Sequence, residues 1–405
     1  MILAAGVALT GGMTSTARAA TDPVDPQAAG ILASATAGDP VTVVTTTLTA
    51  TGPRFATTVA DSRTEALELI SSALDGPATT GVDVAHPVSI AVTTAKTPTA
   101  PKTNAARHAK RANDSLRARQ WALTRLDAER VWRKSSGRGV VVAVVDTGVQ
   151  ADHPDLSGRV LKGRDFIESD RVANDRNGHG THVAGTIAAK TGNKRGIAGL
   201  ANSAKILPVR VLNSAGAGNT VTVARGIVYA VNKGADVINL SLAGDQPDAQ
   251  VEAAIRYAAA RNVVVVAAAG NRGCAAPTTF PAAYPGVIGV GAINRYGAVA
   301  SYSNCGDYVD VVAPGTSIRS TMIRKPSLML PCAYGKSYCL LTGTSMASPH
   351  VAAAAAIVIS RTRHRLSAAR VEALVTTLAD DIGTPGYDTS SGYGIVNIKR
   401  SLAGR

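Results

Sequence analysis

The stretch Leu341-Thr-Gly-Thr-Ser-Met-Ala-Ser-Pro-His350, followed by the alanine-rich run Val351–Ile359, places a turn of small residues directly before an apolar helical segment. Such a turn sets the hydroxyl of Ser345 at a helix N-terminus, where free N–H groups and the macrodipole favour developing negative charge. A serine that attacks a carbonyl needs this setting, because the oxyanion forms beside it. Taken alone, the pattern is more often a capping serine before a core helix, so residues elsewhere in the chain must decide.

The composition favours an α/β protein. The 405 residues are 45% hydrophobic but only 4% aromatic, so the apolar runs consist of Ala and Val, which suits helices packed on a buried parallel sheet. The net charge is +14, and residues 101–134 hold ten Lys and Arg against three acidic residues. A basic run of this kind is typical of a solvated linker, and no nucleic-acid motif with interleaved aromatics accompanies it. We therefore expect no nucleic-acid partner.

The N-terminus indicates export, and in an exported chain the cysteines favour disulfides. Residues 1–20 contain the apolar run Ile2–Leu9 and then Ala17-Arg-Ala19, which together resemble a secretory signal, with a short buried element as the alternative. No later segment is long and apolar enough to span a bilayer, so we expect a secreted protein without a membrane anchor. An even number of cysteines favours two disulfides. Proximity favours Cys274–Cys305 and Cys332–Cys339, although three connectivities remain open.

Two regions precede the main apolar pattern. Residues 21–100 predict a small α+β unit, with strands at Val41–Leu48 and Val82–Thr93 and a helix at Ser62–Leu74. Residues 101–120 predict an exposed basic linker, because the Pro-, Lys- and Ala-rich sequence there has no periodicity.

From residue 121 to residue 405, strand-like and helical patterns alternate, which indicates βαβ crossovers and a mainly parallel sheet with helices on both faces. The chemistry of such sheets lies beyond the carboxyl ends of the strands. Asp146 and Asn271 stand at two of these ends. The predicted strands are Gly139–Val145, Ile206–Leu212, Ala235–Leu240, Val263–Ala268, Val287–Ala292 and Tyr308–Val312. The predicted helices are His179–Lys190, Val221–Lys233, Asp248–Arg261, the segment after Ser345, and Ala368–Thr377.

Two further motifs supply possible partners for the serine. Val144-Val-Asp-Thr-Gly148 delivers a carboxylate from a buried strand into a glycine turn, and Asn177-Gly-His-Gly-Thr-His-Val-Ala-Gly185 places a histidine before a helix. Each alone has an ordinary structural explanation, a capping Asp or a buried His. A zinc site on His179 and His182 does not fit, because their spacing lacks the zincin pattern. Together, however, Asp146, His179 and Ser345 supply the orienting carboxylate, base and nucleophile that an activated serine requires.

The chain order Asp, His, Ser is that of subtilisin, and the region from residue 121 onward resembles the subtilase family of serine endopeptidases. The resemblance implies a three-layer α/β/α fold and hydrolysis of peptide bonds in proteins. It implies that Asp146 orients the imidazole, that His179 is the general base and then acid, and that Ser345 is the nucleophile. His182 is then structural. Asn271 matches the amide that joins the backbone N–H of Ser345 in the oxyanion hole.

The resemblance also implies where substrate binds. Protein and peptide substrates would lie as an extended strand between two segments. Ala243 stands where the family usually has glycine, which predicts a narrower pocket. Arg272 at the rim is either a solvated side chain or a group that tolerates acidic substrate residues. The matching segments are Ala215, Gly216, Ala217, Gly218 and Ser241, Leu242, Ala243, Gly244.

Cofactor, state and maturation follow from the same resemblance. No cofactor is required, and a structural calcium ion at Asp155 and Asn193 is left open, because Lys194 and Arg195 lie in the same loop. Residues 21–100 would be a propeptide that acts as an intramolecular chaperone and inhibitor, cut within the linker at residues 101–120, and the enzyme would be a monomer. The alternative, a silent binding protein on the same fold, requires loss of a catalytic position, and none is lost.

Overall fold

The structure is a computed structural model that describes residues 25–35, 40–93, 111–170, 172–328, 330–333 and 335–404. The predicted signal at residues 1–20 and the first half of the predicted linker, residues 101–110, lie outside these residues. We call residues 25–93 the N-terminal unit and residues 111–404 the large domain. In the described part of the chain, no helix has the length and apolarity needed to cross a membrane.

The N-terminal unit is a three-stranded antiparallel sheet, ordered β2-β1-β3, with two helices packed on one face. Helix α2 begins as its sequence predicts: the side chain of Ser62 accepts the Glu65 N–H at 3.1 Å, and Glu65 in turn accepts the Asp61 N–H at 2.7 Å. This reciprocal capping fixes the start of the helix. The elements are α1 (Pro26–Ala33), β1 (Val41–Thr49), β2 (Gly52–Ala60), α2 (Arg63–Leu74) and β3 (Gly81–Val84).

The prediction of one strand over Val82–Thr93 is wrong. The strand is interrupted at residues 85–86, and a separate strand, β4 (Pro87–Ile90), takes no part in the three-stranded sheet of the N-terminal unit. Whereas β3 pairs with β1, β4 lies between two short strands of the large domain, antiparallel to both. Both halves are rich in β-forming residues, so the local sequence gives no sign that they belong to different sheets.

The large domain is built on a seven-stranded sheet, ordered β13-β12-β11-β9-β5-β7-β6, whose neighbouring strands are all parallel. The predicted α/β class is confirmed. The strands are β5 (Val141–Asp146), β6 (Arg164–Asp165), β7 (Lys205–Arg210), β9 (Val237–Leu240), β11 (Val264–Ala268), β12 (Val287–Ile293) and β13 (Val311–Pro314). Shorter strands outside this sheet are β8 (Ala217–Asn219), β10 (Leu242–Ala243), β14 (Ile318–Thr321) and β15 (Tyr338–Leu341).

Helices cover both faces of the sheet, because its strands are apolar on both sides. In β5, Val142 and Val144 join the core on one face, and Ala143 and Val145 join the core on the other. The face of Val142 carries α5 and α8, and the opposite face carries α6 and α7. The helices are α3 (Trp121–Arg125), α4 (Ala128–Trp132), α5 (His179–Ala188), α6 (Thr220–Asn232), α7 (Ala249–Ala260), α8 (Thr344–Thr362), α9 (Ala368–Thr376) and α10 (Ile398–Ser401).

The end of the predicted linker, residues 111–120, packs partly onto the large domain. Arg117 is only 1% exposed, and its guanidinium forms a two-armed ion pair with Glu129, with both N···O distances 2.8 Å. The Leu116 N–H also donates to the Gly196 carbonyl at 2.7 Å. The large domain therefore begins before Trp121, and part of the basic charge is buried in an ion pair.

Candidate active site

Polar residues from three adjacent strands meet at one edge of the large sheet. Asp146 ends β5, Ser241 follows β9 and Asn271 follows β11, and these strands are neighbours in the order β11-β9-β5. Since carboxyl ends of parallel strands share an edge, the sheet itself gathers these groups.

Asp146 and His179 form a fully buried pair. Oδ1 of Asp146 lies 2.7 Å from Nδ1 of His179, and both side chains are 0% exposed. The same oxygen accepts the Thr147 N–H at 2.7 Å. This bond to Nδ1 fixes the imidazole with Nε2 directed away from the carboxylate, as a base requires.

The residue before this histidine must be glycine. Gly178 has φ of +111°, and a Cβ there would meet the sulfur of Met322 at 2.5 Å. A side chain at this position would therefore be strained by both the backbone and the contact. The glycine lets α5 begin at His179 itself.

Asp175 organises the histidine turn, and the sequence analysis missed it. It is half-buried, and its carboxylate accepts N–H groups of Asn177, Gly178 and Thr181 at 2.8 to 2.9 Å. It also accepts the hydroxyl of Thr147, at 2.9 Å, which ties the turn to the end of β5. Burial raises the pKa of Asp175, and these hydrogen bonds oppose the rise. Its signal was an acidic residue two positions before Asn177, typical of an Asx turn.

Ser345 lies in the first turn of α8, where one backbone hydrogen bond of the helix is missing. Pro349, four residues later, has no N–H to give to the Ser345 carbonyl. The hydroxyl of Ser241 donates to that carbonyl at 2.9 Å instead. Asn239 in turn donates to Ser241 and accepts from Ser348, each at 2.8 Å. A buried polar chain thus fastens the start of α8 to the end of β9.

The hydroxyl of Ser345 is hydrogen-bonded to backbone groups rather than to the imidazole. Its Oγ donates to the Ser241 carbonyl at 2.8 Å and accepts the Ala91 N–H at 3.0 Å. Nε2 of His179 has no hydrogen-bond partner among the described residues. The helices that carry the base and the hydroxyl, α5 and α8, pack on each other.

Asn271 is oriented by the residue before the serine. Its Oδ1 accepts the N–H of Thr344 at 2.8 Å and the Thr344 hydroxyl at 3.1 Å. Its Nδ2 is buried without a partner in the described chain. A Cβ on Gly343 would lie 3.0 Å from this nitrogen and would collide with the carbonyl oxygen of Ala91. The unpaired Nδ2 of Asn271 and the carbonyl of Ala91 therefore both lie close to residue 343, where only glycine fits.

The groove beside these groups is filled by the chain's own residues. β4 is the central strand of a three-stranded antiparallel sheet, ordered β10-β4-β8. Beyond β4, the carbonyl of Ala91 accepts the N–H of Ser345 at 3.3 Å, and Thr93 N–H donates to the Thr342 carbonyl at 2.8 Å. The segment thus runs past Ser345, and the peptide bond between Ala91 and Val92 is the one whose carbonyl contacts the serine.

The predicted substrate-binding residues flank this segment. Gly216 accepts the Ile90 N–H at 3.0 Å, and Ala215 lies in the turn before β8. Paired with the segment or against it are Ala217, Gly218, Ser241, Leu242, Ala243 and Gly244.

The acidic-substrate hypothesis for Arg272 finds no support. The guanidinium forms a two-armed ion pair with Asp245, one arm being 2.8 Å. Both side chains are about half exposed, at 48% and 51%. The charge of Arg272 is therefore already paired at the rim.

His182 and His350 lie in the core near the site and are not metal ligands. Burial, followed by the neighbouring His179, lowers the pKa of His182 to about 3, and burial lowers the pKa of His350 to about 4. Each ring bonds a backbone carbonyl, that of Ile318 at 3.0 Å and that of Met346 at 2.8 Å. Both are neutral structural histidines at physiological pH.

Asp155 and Asn193 lie together, but their geometry does not suit calcium. Asn193 presents its NH₂ group to Asp155, at 2.8 Å, while its oxygen accepts the Arg195 N–H. The other Asp155 oxygen accepts the Ile197 N–H at 2.9 Å and the Tyr338 hydroxyl at 3.0 Å. Calcium needs convergent oxygen ligands, whereas here hydrogen donors surround the carboxylate. The calcium prediction is therefore not supported.

Two disulfides brace the loops around the site. Cys274 is bonded to Cys305, and Cys332 is bonded to Cys339. These are the pairs that proximity favoured. The second closes a small loop directly before Leu341 and the serine turn.

The site has the groups of a serine hydrolase: a buried carboxylate–imidazole pair, a serine at a helix start, and the unpaired side-chain amide of Asn271. Comparisons with known proteins agree. Residues 137–394 match the model of the subtilase family. Thermitase of Thermoactinomyces vulgaris is 43% identical over 285 residues, 70% of this chain and 96% of thermitase. The chain belongs to the subtilase family and is a serine-type endopeptidase.

Other relatives extend the likeness. A thermophilic serine proteinase of Bacillus sp. (strain AK1) is 46% identical over 268 residues, 66% of this chain but only 62% of that protein's length. Among solved structures, fervidolysin of Fervidobacterium pennivorans, described as a keratinolytic enzyme related to subtilisin, has a TM-score of 0.77 at 28% identity. That likeness covers 91% of this chain and 61% of fervidolysin, so it extends beyond the large domain.

Proposed function

We propose that this endopeptidase is exported as a self-processing zymogen, with Asp146, His179 and Ser345 as its triad and Asn271 in its oxyanion hole. The observation that carries the proposal is the position of Ala91, whose carbonyl accepts the Ser345 N–H while its own N–H meets Ser345 Oγ. A segment held this way is both a first substrate and an inhibitor. The N-terminal unit is then the propeptide.

The chemistry uses groups already described. Ser345 Oγ turns from the Ser241 carbonyl, gives its proton to His179 Nε2 and attacks the carbonyl carbon of Ala91. The Ser345 N–H and Asn271 Nδ2 bind the oxyanion. His179 then protonates the departing nitrogen of Val92. Water, activated by the same imidazole, releases the acyl group.

The scissile bond proposed here is Ala91–Val92, in place of a bond within residues 101–120. Ala91 is 6% exposed in the cleft, whereas Ser89 is exposed. A charge at residue 91 would be buried and would oppose binding, while one at residue 89 would stay in water. This difference supplies a matched pair of variants.

The experiment expresses the full chain as wild type, Ser345→Ala, Ala91→Asp and Ser89→Asp, and determines each N-terminus by mass spectrometry. Wild type and Ser89→Asp should begin at Val92 and cleave casein, Ala91→Asp should be cut slowly, and Ser345→Ala should stay intact. Equal shortening of Ser345→Ala would remove self-processing. A first cut within residues 101–120, with Ala91–Val92 intact, would restore the linker site.

A further inference from the structure

A cluster of ionisable side chains lies where the N-terminal unit contacts the large domain, and it contains none of the proposed catalytic residues. Asp83 and His86 come from the break between β3 and β4, and Asp248 precedes α7. One ligand-capable atom from each lies within 4.8 Å of the others. His86 and Asp248 are each 2% exposed. Two carboxylates and an imidazole are thus gathered across a contact between two parts of the chain, with the Asp83 side chain 14% exposed.

The imidazole of His86 lacks the bonds that buried rings normally have. Neither Nδ1 nor Nε2 has a hydrogen-bond partner among the described residues. The nearest charged atom, Oδ1 of Asp83, is 3.8 Å from Nε2, beyond hydrogen-bond distance. Buried polar groups are nearly always satisfied, so a ring left this way beside two carboxylates indicates a missing ligand.

Backbone N–H groups hold the two carboxylates in place, whereas His86 is held through its own backbone. Asp83 Oδ2 accepts the Ala249 N–H at 2.8 Å, and Asp248 Oδ1 accepts the N–H groups of Gln250 and Val251, each at 2.9 Å. The backbone of His86 exchanges two hydrogen bonds with Thr220, at 3.0 and 2.9 Å. The two carboxylates are therefore oriented before any ligand arrives, and the backbone position of His86 is fixed beside them.

We propose that Asp83, His86 and Asp248 bind a divalent transition metal of the zinc class, which fastens the N-terminal unit to the large domain. One imidazole nitrogen and two carboxylate oxygens are ligands that zinc takes, with water in the fourth position. Calcium and magnesium are disfavoured, because they bind oxygen ligands and the central group is a nitrogen.

The proposal does not rest on the proposed maturation, because all three ligands are present in the intact chain. Two of them belong to the N-terminal unit and one to the large domain, so neither part alone has the full set. A cation that binds only the joined form stabilises it in proportion to its concentration over its Kd.

The test uses the intact Ser345→Ala chain, stripped with EDTA and titrated with ZnCl₂ by calorimetry. A high-affinity zinc should bind, and His86→Gln on the same background should weaken that binding by about tenfold or more. His364→Gln is the matched control, because that ring is 47% exposed and pairs with Asp236. Its zinc affinity should equal that of the parent, and CaCl₂ should not compete.

Thermal melts guard against misfolding. Zinc should raise the Tm of the parent and of His364→Gln but not of His86→Gln. Asp248→Asn, which keeps a helix-capping oxygen, should also lose zinc affinity. Equal zinc binding by His86→Gln and the control, or no zinc binding by the parent, would overturn the proposal.

Discussion

The two parts of this chain are stabilised in different ways. The large domain buries apolar residues on both faces of a seven-stranded sheet, whereas the N-terminal unit has one small cluster under one face of three strands. The other face of that unit packs against α6 and α7. There, Arg225 donates to the Phe55 carbonyl at 2.7 Å, and Asn232 donates to the Thr51 carbonyl at 2.9 Å. A small core seldom suffices alone, so the N-terminal unit should depend on its partner far more than the reverse.

Acid should unfold the large domain through its neutral histidines. The pKa of His182 is about 3 and that of His350 about 4 when folded, against an ordinary value near 6.5. Since the unfolded chain takes up these protons first, stability is retained above pH 6.5 and falls towards the folded pKa values. Each histidine contributes up to about 1.4 kcal/mol per pH unit.

Urea melts of Ser345→Ala between pH 7.5 and 4.5 measure this dependence. His350→Gln keeps a donor for the Met346 carbonyl and should reduce the slope by as much as one proton. An unchanged slope in that variant would show that other groups set the acid limit of the large domain.

Ile70→Ala should loosen the N-terminal unit alone. Ile70 is 0% exposed in its small core, and removing such a side chain costs about 2–5 kcal/mol. Hydrogen exchange on the Ser345→Ala background should show lower protection in β1 and β2 and unchanged protection in β5 and β11. Leu48→Ala, at a position 68% exposed, is the control. Equal loss in both parts would mean that the whole chain unfolds as one unit.

Asn271→Ala should affect chemistry without affecting either core. Its Nδ2 has no protein partner in the described chain, so the substitution removes a donor that acts only in the reaction, together with the acceptor of the Thr344 N–H and hydroxyl. The expected loss in kcat is about 10²–10³-fold, or about 2.7–4 kcal/mol, a magnitude taken from the equivalent change in subtilisin. KM on a peptide substrate should change little. A rise in KM with constant kcat would assign Asn271 to substrate binding instead.

Arg225→Ala should weaken the hold of the large domain on the N-terminal unit. A hydrogen bond from a charged donor contributes roughly 1.5 kcal/mol, so inhibition of the processed enzyme by added N-terminal unit should weaken about tenfold. Arg256→Ala, which removes an exposed pair with Glu252 within α7, is the control. Equal inhibition constants would locate the hold elsewhere.

Much of the large domain was predictable, because apolar runs and motif residues are local signals. Asp146 and Ser345 could be placed at a strand end and a helix start from their neighbours alone. The path of residues 85–93 could not, since its partners β8 and β10 lie more than a hundred residues away. Asp175 escaped for a similar reason: its contact with Thr147 joins two turns that only the folded sheet brings together.

The strand β4 has a consequence for solubility. β8 and β10 each turn towards the groove an edge that β4 occupies. Open strand edges are templates for pairing between molecules and a common cause of aggregation. When β4 is in the groove, neither edge is open to pair with another molecule. We therefore expect the hydrogen bonds of residues 87–90 to lower the tendency of the newly folded chain to aggregate.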